Sequence, residues 1–177
     1  MNAIELLRLQ LDFAHQVVEG TMADVTPEQA DWSPPGIATP LGASYAHVVL
    51  SEDMVVNGML KGAAPMMATT WAGRMGLSEP MPMPGPEWVN YADWNRRVRV
   101  DIAAMREYAQ AVYASTSEYL SSLTPEDLDT PVDLTGLGFG HSNVGWVLSA
   151  LVIGHINNIA GEISCLKGLQ GAKGYPF

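Results

Sequence analysis

Residues 134–161 carry no Asp, Glu, Lys or Arg, and the part from 144 to 154 is apolar almost throughout. A membrane-spanning helix needs roughly 20 consecutive apolar residues. His141, Asn143, His155, Asn157 and Asn158 interrupt this run before the dense part reaches that length. The segment is therefore expected to be a buried core helix, running over about 142–167 and closed by Gly168. Such a helix needs partners on several sides, and the rest of the chain supplies helical patterns to provide them.

Residues 2–24 set Ile4, Leu7, Leu11, Ala14 and Val18 at helical spacing, with Glu5, Arg8, Asp12 and Glu19 elsewhere around the wheel. The TPEQ at 26–29 is a capping box with Pro27 at the first helical position, so a short turn starts there and SPPG at 33–36 ends it. A second long helix is expected over 42–60, with His47, Ser51, Met54 and Val55 on one side and Lys61 and Gly62 at its end. From 62 to 86, repeated Gly and Pro separate Met66, Met67, Trp71, Met75, Met81 and Met83, so no regular element is expected across it. This stretch reads as coil covering the core, with a lid or a dimer-packing arm as alternatives. A third helix over 90–123 starts from Asn90 as N-cap with Asp93 in its first turn, and would be about 45–50 Å long. TPED at 124–127 repeats the earlier start signal and leads through a loop ending GLGFGHSNVG to the last helix. No strand-like alternation of useful length is found. The pattern predicts an all-α four-helix bundle, one domain spanning 1–177.

Charge and composition then remove whole classes of function. The net charge is −10 without a run of Lys and Arg, which argues against a nucleic-acid partner because phosphate binding requires clustered cations. Cys165 is the only cysteine, so an internal disulfide is excluded and a cytoplasmic location is expected. Its position on the last helix reads as a small buried hydrophobe. The N-terminal MNAIELLRLQLDF carries Glu5 and no uninterrupted apolar block, so it reads as an amphipathic helix and not a secretory signal. Neither a GxSxG elbow nor a Gly-rich phosphate loop occurs. Arg96, Arg97, Arg99 and Arg106 read as solvated ion pairs more readily than as an anion site.

The histidines carry the remaining chemistry. Two His at i and i+4 on a helix can bite one metal ion while a third ligand arrives from a neighbouring helix. His155 has Ile159 at i+4, so only half of that bite exists, and His47 could meet it from the second helix. Two imidazoles fall short of the three protein ligands that zinc and similar ions prefer. Asn158 offers only a neutral amide oxygen, and Glu162 lies about 10 Å further along the axis. His15 edges the apolar stripe of the first helix, and His141 at the loop before the last helix reads as a surface or capping residue.

The SYAHVVLSE helix with His47, the long third helix and the closing LVIGHINNIAGEISCLKGLQGAKGYPF together resemble the DinB/YfiT-like superfamily over essentially the whole chain. The resemblance implies a four-helix bundle in up-down-down-up order, with a long crossover between helices two and three, commonly as a homodimer. It also implies a divalent metal such as nickel or zinc, held by one His on helix two and an HxxxH pair on the last helix. His47 and His155 match two of these ligands, Gly161 and Glu162 match the residues that trail them, and Ile159 stands where the third His belongs. Two readings follow. In the first, the chain is a metal-free dimeric bundle that binds a small molecule or serves as an interaction surface, with no cofactor. In the second, His47 and His155 hold nickel or zinc for a transferase or isomerase that uses a small thiol.

Overall fold

The computed structural model describes residues 1–82 and 90–177, and they are mostly helical with one small hairpin. Helix α1 (Ala3–Met22) begins at a capping box: the Asn2 side chain accepts from the Glu5 N–H and the Glu5 carboxylate accepts from the Asn2 N–H, both at 2.9 Å. Its stripe of Ile4, Leu7, Leu11, Ala14 and Val18 is buried, as the periodicity predicts. The Thr26–Gln29 box caps α2 (Pro27–Asp31) in the same way. Helix α3 (Leu41–Asp53) continues as a π-helical segment, Met54–Leu60, over the span expected for the second helix.

The irregular crossover after Leu60 is fastened by one buried carboxylate. Asp53 is fully buried and accepts from the N–H groups of Met66 and Met67 at 3.0 and 2.8 Å, from Asn57 Nδ2 at 2.7 Å and from the Tyr108 hydroxyl at 2.6 Å. A loop without ladder or helix bonds must satisfy its N–H groups somewhere, and here a side chain does it. Met67, Met75 and Met81 turn inward and are buried, so the described part of this stretch covers the core. The expected tail of the stretch, 83–86, lies outside the described residues.

The single helix expected over 90–123 is corrected: the chain forms α4 (Tyr91–Arg97), an extended break, and α5 (Ile102–Ser122). Val98 and Val100 are buried in the break, and Val100 pairs with Leu77 of the crossover. Asp101 then restarts the helix by accepting from the Ala103 and Ala104 N–H groups at 3.0 and 3.2 Å. Asn90 makes no side-chain capping bond. At 21 residues α5 is about 32 Å long instead of 45–50 Å.

The expectation of no strands is corrected too. After a 3₁₀ turn at Pro125–Asp129, β1 (Pro131–Leu134) pairs antiparallel with β2 (Gly140–Asn143), with Val132 opposite Ser142. Gly138 closes the intervening turn with φ of 81°, a conformation that favours glycine. Ser142 therefore belongs to a strand, and Asn143 caps the last helix by accepting from the Trp146 N–H at 2.8 Å. That helix comprises α6 (Val144–Trp146), a π-helical segment (Val147–Gly154) and α7 (His155–Leu169). Taken whole, Val144–Leu169 is long and apolar enough to cross a membrane by length and composition, which corrects the expected shortfall. It packs against α1 and α3 and buries Val144, Leu148, Val152, Ile156, Ala160 and Ile163 in the common apolar cluster.

Polar ties join the helix ends. Lys167, only 2% exposed, donates to the Thr21 carbonyl at 2.7 Å and to Asp24 at 2.5 Å. Arg106 donates to Glu19 at 3.2 Å and to the Met22 carbonyl at 3.0 Å, while the Tyr45 and Tyr113 hydroxyls donate to the other Glu19 oxygen at 2.7 and 2.9 Å. Cys165 is exposed, which corrects its expected burial: it lies on the outer face of α7, between buried Ile163 and buried Leu166.

Candidate functional site

Both π-helical segments, Met54–Leu60 and Val147–Gly154, line the same cavity, which has a volume of about 560 Å³. A π turn widens the backbone and re-aims the side chains that follow it. His155 comes directly after the second segment, and His47 lies on α3 two turns before the first. The two rings meet edge to face with centroids 4.9 Å apart, and His47 Nε2 lies 3.1 Å from His155 Nε2. One of these nitrogens donates and the other accepts. On the opposite side of its ring, His47 Nδ1 shares a short hydrogen bond with the Tyr91 hydroxyl. Tyr91 stacks on buried Trp94 at 5.6 Å, which holds the phenol in place.

Burial sets the protonation states. Desolvation first, and then the neighbouring His155, lower His47 to a pKa of about 4 from the usual 6.5. Desolvation lowers His155 as well, and it pushes Tyr91 up to about 12. At neutral pH the imidazoles are uncharged and the phenol keeps its proton.

The remaining wall is apolar. Met54, Val55, Met59 and Met81 form part of it, Leu137, Phe139 and Trp146 from the hairpin and α6 another, and Ala150 and Leu151 of the second π segment the rest. Phe139 and Trp146 pack at 5.5 Å and are 54% and 38% exposed, so they stand at the rim. Ser51 and Asn158 complete the polar groups, and among the described residues no Asp, Glu, Lys or Arg lines the cavity.

The other residues singled out by sequence lie elsewhere. Ile159 is 7% exposed in the apolar core cluster. Glu162 lines a separate groove with Cys165. His15 binds both oxygens of buried Glu52 at 3.0 and 3.1 Å and stacks on Tyr113 at 3.8 Å. His141 is exposed on β2, 3.8 Å from Asp133. The arginines disperse: Arg97 pairs with Glu79, Arg99 with Asp31 and Arg106 with Glu19, so they form no anion site.

These donors do not fit a divalent metal. The two Nε2 atoms are close enough to share one ion, but nothing supplies a third strong ligand: the Tyr91 oxygen is engaged on the far side of His47, and Asn158 offers only a neutral amide. Among the described residues no group of three or more His, Cys, Asp and Glu is arranged to hold one. Sequence reasoning passed over Tyr91 and the rim of Leu137, Phe139 and Trp146. The signals available were the Tyr91/Trp94 pair at i, i+3 and the aromatic within the GLGFG turn.

Among known proteins, a sequence model of the family described as the DinB superfamily matches residues 10–158. Among solved structures, the chain is similar to a conserved protein of locus from Enterococcus faecalis. The TM-score is 0.79 at 20% identity, covering 96% of this chain and 97% of that one. This likeness speaks to the fold alone. No curated protein matches.

Proposed function

Because this chain belongs to the DinB superfamily, we propose that it is a metal-free bundle binding a small molecule in the cavity floored by His47 and His155. The observation that carries this reading is the make-up of the cavity of about 560 Å³: only two imidazoles converge in it, and among the described residues no third histidine, cysteine or carboxylate joins them in a mainly apolar lining. A volume of this size suits a small organic ligand, and an apolar lining with a few converging polar groups is the usual character of such sites.

The finer architecture belongs to the proposal: one domain over 1–177, with four long helices in up-down-down-up order and the crossover joining the second to the third. The contact from Arg106, early in α5, to the Met22 carbonyl supports opposite directions for α1 and α5. Lys167 bonded to the Thr21 carbonyl supports a shared direction for α1 and α7. The pairs Asp53 with Tyr108 and Asn57 with Ser115 support a shared direction for α3 and α5. The protein works as a cytoplasmic homodimer without nucleic acid or membrane. Exposed Leu6, Leu9 and Phe13 on α1 favour the dimer, and the buried Lys167 tie favours a core role for the apolar last helix.

A second reading, a nickel- or zinc-dependent transferase or isomerase using a small thiol, is favoured by the juxtaposition of His47 and His155 alone. Elemental mass spectrometry of untagged protein separates the two. The metal-free reading expects well under about 0.1 metal ion per chain, even after incubation with nickel and zinc. Near-stoichiometric metal that is lost in His47→Ala and in His155→Ala would overturn it.

A further inference from the structure

Five polar side chains line the cavity among the described residues, His47, Ser51, Tyr91, His155 and Asn158, and none is a carboxylate, an ammonium or a guanidinium. The nearest carboxylates on α3 are already engaged. Glu52 is bonded to His15 and Asp53 to its four donors, and both are buried. An anionic ligand would shed its hydration here without meeting a cation, and an ammonium would do so without meeting a carboxylate.

The histidine pair narrows the ligand further. If His47 Nε2 donates across the 3.1 Å contact, the neutral His155 ring carries its proton on Nδ1; if His155 Nε2 donates, its Nδ1 is bare. Among the described residues no hydrogen bond engages His155 Nδ1. That atom therefore donates or accepts by a change of tautomer, with no change of charge. A hydroxyl answers both states, whereas a carboxylate answers only one.

Resting on the ligand-site reading above, we propose that the cavity selects a neutral molecule with an apolar ring-containing body and one hydroxyl, a phenol or alcohol. The hydroxyl sits against His155 and the body against Met54, Met59, Phe139 and Trp146. Thioether and aromatic walls suit a flat ring.

The test is titration calorimetry on the full untagged chain at pH 7.5 with four matched probes: 2-naphthol, naphthalene, 2-naphthoate and 2-naphthylmethylammonium. The expected result is binding of 2-naphthol, with the two ions each weaker by at least about 30-fold. His155→Leu should bring 2-naphthol down to the affinity of naphthalene, and Met59→Trp should weaken both neutral probes alike by filling the space. Binding of either ion as tight as that of 2-naphthol would overturn the choice of a neutral ligand and leave the cavity a ligand site. An unchanged preference for 2-naphthol over naphthalene in His155→Leu would overturn the role of the histidine. If none of the four probes binds, both this inference and the ligand-site reading fall.

Discussion

Replacing Asp53 tests whether one carboxylate holds the crossover to the bundle. In Asp53→Ala four donors lose their acceptor: the Met66 and Met67 N–H groups, Asn57 Nδ2 and the Tyr108 hydroxyl. Each orphaned buried donor costs about 1–3 kcal/mol. The two loop N–H groups recover part of this by lifting into water, whereas Tyr108 is fully buried and cannot. Release of the desolvation held in a buried carboxylate offsets a further part. The net loss is expected at about 4–6 kcal/mol, a large share of the roughly 5–15 kcal/mol that stabilises a domain. Asp53→Asn keeps one acceptor oxygen but presents an NH2 group to the other two donors, so about 2–3 kcal/mol is expected. Urea denaturation at pH 7 measures both losses, and limited proteolysis reports the crossover directly, with new cleavage within 62–82 in the Ala variant below its unfolding transition. A loss under about 1.5 kcal/mol in Asp53→Ala, with an unchanged cleavage pattern, would refute the reasoning.

Acid should destabilise the fold through the histidine pair. The folded-state pKa of His47 is lowered to about 4 from 6.5, so its contribution is fully present above pH 6.5 and is lost as pH falls towards 4. At about 1.4 kcal/mol per pKa unit the loss is at most about 3 kcal/mol, and His47→Phe should flatten the fall of the urea midpoint across that window; parallel curves would contradict the assignment. Ile159→His adds a third imidazole one turn beyond His155 at a position only 7% exposed. Nickel or zinc uptake is expected to rise at least about 100-fold over the parent, and uptake as poor as the parent's, by elemental mass spectrometry, would show that position 159 does not share the pair's face. Lys167→Ala should cost about 2–4 kcal/mol by leaving the Thr21 carbonyl unpaired and opening space beside it, with a loss under about 1 kcal/mol counting against a structural role.

Local signals were legible where local physics decides. The capping boxes at Thr26 and Thr124 both form, and the apolar stripe of α1 is buried residue for residue. Features set by distant partners were not. Nothing near Val98 and Val100 announces that Leu77 will hold the chain extended there, so α4 and α5 read as one helix. The hairpin strands have four residues each, too short for alternation to register. His47 and His155 are singled out by helical spacing, and a family resemblance that links positions far apart in the chain then matches both to one site. Tyr91 was overlooked because its role arises only where α4 meets α3. The exposure of Cys165 was misjudged because an apolar neighbourhood in sequence does not say which side of a helix faces out.

The two π segments give the cavity an unusual relation to chain length. A π turn closes its hydrogen bonds one residue later than an α turn, so Val147–Gly154 holds a surplus residue within an otherwise ordinary helix. Deleting one residue there returns the segment to α geometry, a change most helix interiors would not tolerate without a break. Because the surplus residue is absorbed inside the segment, the turns on either side keep nearly the same facing when it is removed. What changes is the wall between them, where Ala150 and Leu151 line the cavity. A single codon lost within this segment would thus reshape the cavity while leaving a folded helical chain whose two histidines still meet.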